Sequence, residues 1–111
     1  MTQQVTFLEP AEVQAKLNDG TAYVIDVREP NEYAEAHIAG VPLMPLSQFD
    51  PGAVTPPADK TLIIHCRSGR RCGLASEQLI AAGYTGTFYR MAGGLLAWTA
   101  AGLPVETGES T

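Results

Sequence analysis

The segment Thr61–Cys66, TLIIHC, is apolar at consecutive positions rather than at alternate ones, and this constrains the fold more than any other stretch. A strand with one wet face alternates apolar and polar residues. A strand that is apolar on both sides must be covered on both, which points to the centre of a largely parallel sheet with helices above and below. Ala22–Val27, AYVIDV, has the same character, so these two are predicted as central strands. Apolar runs alternate with helical patterns and short turns along the chain, the pattern of an α/β domain. Five strands are predicted, Val5–Leu8, Ala22–Val27, Val41–Met44, Thr61–Cys66 and Thr87–Met91, in one mostly parallel central sheet with helices on both faces.

Start and stop residues delimit the helices. Pro10 suits a first helical position, Val13 and Leu17 lie four apart, and Gly20 ends that helix. A short helix follows from Pro30 to Ala36. Between Arg71 and Ala82, the residues Cys72, Ala75, Leu79 and Ala82 share one face, and Gly83 closes the helix. The last helix spans Gly93 to Ala101, before Gly102 and Pro104. The proline-rich stretch from Gln48 to Lys60 reads as loop with room for one helical turn. With 111 residues there is space for one domain only, assigned to residues 1–105, followed by a flexible tail at 106–111.

A net charge of -5 and a pI near 4.8 argue against nucleic acid or an anionic membrane surface as partner, since both call for a broad basic face. No apolar run approaches the roughly 20 residues of a membrane span, and MTQQVTFLEP lacks the blocks of a signal peptide, so a cytoplasmic location is expected. In a reducing compartment Cys66 and Cys72 remain thiols, and their reactivity is the feature of interest. The two Cys and two His do not form a zinc-ligand pattern, and no metal or cofactor is expected. A monomer is expected.

Against this acidic background, IIHCRSGRRCG at residues 63–73 gathers Arg67, Arg70 and Arg71, three of the seven basic residues, within five positions. A strand ending at Cys66 and a helix starting near Arg71 leave a loop at the carboxyl end of a central strand, where open α/β sheets place ligands. Inward-pointing N–H groups of that loop, with the helix start, would cup an anion, and Gly69 lets the backbone turn tightly. The same dipoles and guanidinium groups favour a Cys66 thiolate. His65 precedes Cys66 and faces the other side of a regular strand, and His37 reads as a structural turn residue, so neither is expected to act as a base. A thiolate and an anion cup without acid or base suit sulfur transfer, whose leaving group is a stable anion, better than phosphate ester cleavage.

Three ordered motifs resemble the rhodanese family: VIDVREPNEYAEAHIAGV, IIHCRSGRRC and MAGGLLAWTAAGLPV. The resemblance implies a single rhodanese-like domain with a five-stranded, parallel-type sheet, acting as a sulfurtransferase of the thiosulfate type. Cys66 would carry the persulfide, Arg67, Ser68, Gly69, Arg70 and Arg71 would cup the sulfane sulfur, and Asp26 and Arg28 would buttress the site from the neighbouring strand. A structural salt-bridged turn is the alternative for that last pair. The implied partners are a small anionic sulfur donor and a cyanide or thiol acceptor. Ala36 stands where the family often has glycine, and Cys72 where a small residue such as serine is common. Cys72 reads either as a packing residue or as a resolving thiol. A non-catalytic rhodanese-like binding or regulatory module is one rival. A cysteine phosphatase is the other, although it would need arginine where Cys72 stands.

Overall fold

In the computed structural model, which describes residues 6–67, 70–84 and 88–107, the central strands lie where the apolar runs put them. Strands β1 (Thr6–Leu8), β2 (Ala22–Asp26), β3 (Thr61–His65) and β4 (Phe88–Met91) form one sheet in the order β1-β4-β3-β2, with every neighbouring pair parallel. The sheet has four strands, not the five expected, because Val41–Met44 does not form one. Asp26 N–H donates to Pro42 O at 3.0 Å and Met44 N–H donates to Asp26 O at 2.7 Å, which leaves a single bridge between Asp26 and Leu43. Pro42 has no N–H to continue the ladder towards Val24, and at the other end Arg28 N–H turns back to Asp26 Oδ1 while Leu46 N–H goes to Val27 O, so the ladder extends in neither direction.

Helices α1 (Pro10–Asp19), α2 (Pro30–Glu35), α3 (Arg70–Ala81) and α4 (Gly94–Ala100) cover both faces. α1 and α2 begin alike, with proline first and a glutamate turned back on the chain: Glu9 N–H donates to Glu12 Oε1 and Glu29 N–H to Glu32 Oε1, both at 3.1 Å. α3 starts one residue earlier than its sequence pattern suggested. The proline-rich segment Gln48–Lys60 holds one short 3₁₀ turn, Pro51–Ala53, and another, Leu46–Gln48, leads into it.

Period two decides which face each strand residue serves. Leu62, Ile64 and Cys66 pack with Ile25, Val27 and Phe88 against Ala75 and Leu79 of α3. Ile63 packs with Val24 and Met91 against Val13 of α1 and Leu95 and Trp98 of α4. Each fully buried Ile, Leu or Phe stabilises the fold by about 1.5–3 kcal/mol, so both sides are needed to hold a sheet of this size. Residue 106, counted with the flexible tail, is tied down: His37 N–H donates to Glu106 O at 2.8 Å and Glu106 N–H to His37 O at 2.7 Å. The His37 ring stacks on Tyr33 with centroids 4.0 Å apart, in keeping with a structural role. Among the described residues no helix is long and apolar enough to cross a membrane.

Candidate active site around Cys66

β3 delivers Cys66 to the carboxyl edge of the sheet, fully buried on the α3 face. Its peptide is held from the other side by the start of α4. Leu95 N–H donates to Cys66 O at 2.7 Å and Leu96 N–H to Arg67 O at 3.0 Å. This approach requires glycine at position 94, where φ is +58° and a Cβ would lie 2.6 Å from the Arg67 carbonyl carbon. Gly94→Ala is expected to cost about 2 kcal/mol or more, seen as a melting point lowered by roughly 10 °C. Gly20→Ala, at a positive φ with open space around it, should cost less.

Of the expected anion-binding residues, Ser68 and Gly69 lie outside the described residues. Arg70 and Arg71 open α3 together with Cys72, with their side chains also outside the description. Arg67 is exposed, and it shares a cleft of about 180 Å³ with Arg28, Glu35, Ala36, Leu95 and Leu96. The cleft opens between α2 and α4, beside the peptide that follows Cys66.

Asp26 and Arg28 are brought together, both buried, on the face opposite the Cys66 side chain. Arg28 Nε donates to both Asp26 carboxylate oxygens at 3.1 Å, and Nη2 donates to Oδ2 at 2.8 Å. The same guanidinium closes α2: Nη2 donates to Ala36 O at 2.6 Å and Nη1 to Glu32 O at 3.3 Å. A charge buried in this way is stable only because it is fully paired and hydrogen-bonded.

His65, aligned with Asp26 across the sheet, fills the space beneath this pair and is fully buried. Its Nδ1 lies 3.4 Å from Cys66 O, and since a carbonyl only accepts, this assigns the proton of the neutral ring to Nδ1. Nε2 lies 3.4 Å from Asp26 Oδ2 but has no hydrogen-bond partner among the described residues, so proximity there is not a bond. Burial pushes the ring below the usual histidine range, opposed by the Asp26 carboxylate.

A histidine kept neutral by folding makes the unfolded chain the better proton binder at mildly acidic pH, so its contribution is complete above the unfolded value near 6.5. Stability is lost as pH falls below that value towards the lower folded one. The unfolding free energy from urea titrations should therefore drop between pH 7.5 and 5.5, by up to about 1.4 kcal/mol per pH unit. His65→Gln should flatten the profile.

A parallel α/β sheet whose central strand ends in a buried cysteine and turns within a few residues into a helix defines a class of domains that present a thiol at the sheet's carboxyl edge. The chain belongs within that class to the rhodanese-like domain family, whose model matches residues 9–101. It is 37% identical over 103 residues to an uncharacterized protein of Synechocystis sp., covering 93% of this chain and 57% of that protein. It is 33% identical over 86 residues to a sulfurtransferase of Allochromatium vinosum, covering 78% of this chain and 79% of that one. Among solved structures, the rhodanese-related protein from Thermoplasma volcanium superposes with a TM-score of 0.75 at 27% identity, covering 91% of this chain and 97% of the other. The chain thus spans little more than half the length of the Synechocystis relative.

Proposed function

We propose that the protein is a sulfurtransferase working through a persulfide on Cys66, with thiosulfate or a related persulfide as donor and cyanide or a thiol as acceptor. The observation that carries this reading is the placement of Cys66 at the end of the central strand, its peptide clamped by α4 and the arginine-bearing start of α3 following within four residues. The sulfurtransferase among its relatives supports the same reading. The Cys66 thiolate attacks the outer sulfur of thiosulfate, the S–S bond breaks, and its electron pair leaves with sulfite. Cyanide then attacks the outer sulfur of the persulfide, thiocyanate departs, and the thiolate returns. No group has to gain or lose a proton in either step, which matches a site whose neighbouring histidine is buried beneath Asp26.

In this reading Arg67, Ser68, Gly69, Arg70 and Arg71 hold the anion, with an electrostatic contribution of a few kcal/mol per well-placed donor. Asp26 and Arg28 act indirectly, by fixing α2 and the strand end. The protein works as a monomer on small molecules in a reducing, cytoplasmic setting. The test is to incubate reduced protein with thiosulfate, weigh the intact chain for one added sulfur, then add cyanide and assay thiocyanate. A chain that gains no sulfur, or that hydrolyses an aryl phosphate instead, overturns the reading.

A further inference from the structure

Arg90 stands outside the basic cluster of the sequence, yet the fold brings it to the start of α3. It alternates along β4 with Tyr89 and Met91, which pack in the α1 and α4 layer, so it lies on the α3 face of the sheet, the face that holds Cys66. In register Arg90 pairs with Phe7 on one side and Ile64 on the other, and Cys66 follows Ile64 by two residues on the same face. One strand across and two residues along puts the Arg90 and Cys66 backbones about 8 Å apart.

The guanidinium is half-buried, with Cζ 4.7 Å from the centroid of the Phe7 ring. It also lies against α3 at Gly73, where a Cβ would be 3.3 Å from Nη2 and 3.7 Å from Cζ. Gly73 belongs to the first turn of α3, which carries Arg70 and Arg71 and no acidic residue. A helix start is already electropositive, and a further cation beside it is disfavoured unless an anion is bound there. Arg90 therefore adds a third arginine to this turn, from a different strand.

We propose that Arg90 is a specificity-determining residue of the Cys66 site, whose charge, held at the first turn of α3, selects sulfur donors by their own charge and favours dianions. This rests on the sulfurtransferase reading and deepens it on the donor side. The step keeps its balance: the Cys66 thiolate attacks the outer sulfur of the donor, the S–S bond breaks, and the electron pair leaves with sulfite or a sulfinate. Arg90 does not touch the reacting atoms. Acting over a distance on the order of 10 Å at low ionic strength, its charge changes the rate about fivefold for each negative charge on the donor.

The experiment compares thiosulfate with methanethiosulfonate, in which a methyl group replaces one oxygen. Both offer an outer sulfur at similar size, one as a dianion and the other as a monoanion. Uptake of one sulfur by the reduced protein is timed by intact mass at low salt and limiting donor, for the parent, Arg90→Met, Arg90→Lys and Lys60→Met, each checked by a thermal melt. Arg90→Met is expected to slow uptake about twenty-five-fold from thiosulfate and about fivefold from methanethiosulfonate, so the ratio of the two rates falls about fivefold. Arg90→Lys should restore most of that ratio, and added salt should lower it in the parent. Lys60 precedes β3 at the opposite edge of the sheet, so Lys60→Met makes the same change in net charge and should leave the ratio unaltered. A merely structural loss slows both donors alike and is not reversed by lysine.

An equal change with the two donors, or none, overturns the proposal. So does a ratio that Arg90→Lys fails to restore, one that Lys60→Met shifts as far, or a parent ratio insensitive to salt. Each of these leaves the sulfurtransferase reading standing. Uptake from neither donor by the parent protein sinks that reading and this proposal with it.

Discussion

Cys66→Ala protein is expected to take up no sulfur from thiosulfate and to release thiocyanate no faster than the uncatalysed background, a loss of roughly a thousandfold or more. A double displacement has no route without the atom that carries the sulfur between its halves. The fold should survive. Cys66 is fully buried among Ile64, Ala75 and Phe88, so deleting Sγ removes packing worth about 1 kcal/mol and lowers the melting point by roughly 5 °C. Intact mass after thiosulfate, thiocyanate release and a thermal melt together decide the matter. Sulfur appearing on the Ala variant would move the carrier to the remaining cysteine, Cys72, and end the case for Cys66.

Arg28→Met is expected to have the largest effect on stability, about 3–5 kcal/mol, with a melting point lowered by roughly 15 °C. Methionine preserves much of the side chain's volume and none of its five donors. The Asp26 carboxylate, fully buried, would lose the guanidinium that neutralises it, and the carbonyls of Glu32 and Ala36 would lose their partner at the end of α2. Adding Asp26→Asn should recover part of the loss. It removes the uncompensated charge, while its amide oxygen still accepts the Arg28 N–H now donated at 2.9 Å. Denaturant midpoints of the two single variants and the double give the pairwise coupling, and strict additivity would show that Asp26 and Arg28 act independently.

The parts of the fold that were legible in the sequence are those set by local period and by glycine and proline. Thr61–Cys66 and Ala22–Val27 are central strands because only a position covered on both faces tolerates such runs, and Pro10 and Gly20 bracket α1 as their chemistry requires. Val41–Met44 misled because it has strand-like side chains while Pro42 lacks the donor that would continue the ladder and Arg28 N–H is taken by the Asp26 carboxylate, so backbone chemistry outweighed propensity. At the site, the alternation that sends Cys66 to one face and His65 to the other was readable. That Arg28 spends its donors on the end of α2 was not, because it depends on a tertiary approach of Ala36 to β2. Nor was the reason for the second glycine of the Gly93–Gly94 pair, which is set by how closely α4 meets the Arg67 carbonyl.

The two hydrogen bonds from α4 to Cys66 O and Arg67 O, and the first turn of α3 at Arg70, act as fixed posts, with only positions 68 and 69 strung between them. Because both ends are held by backbone contacts of their own, the number of residues between them can change without moving the strand end or the helix start.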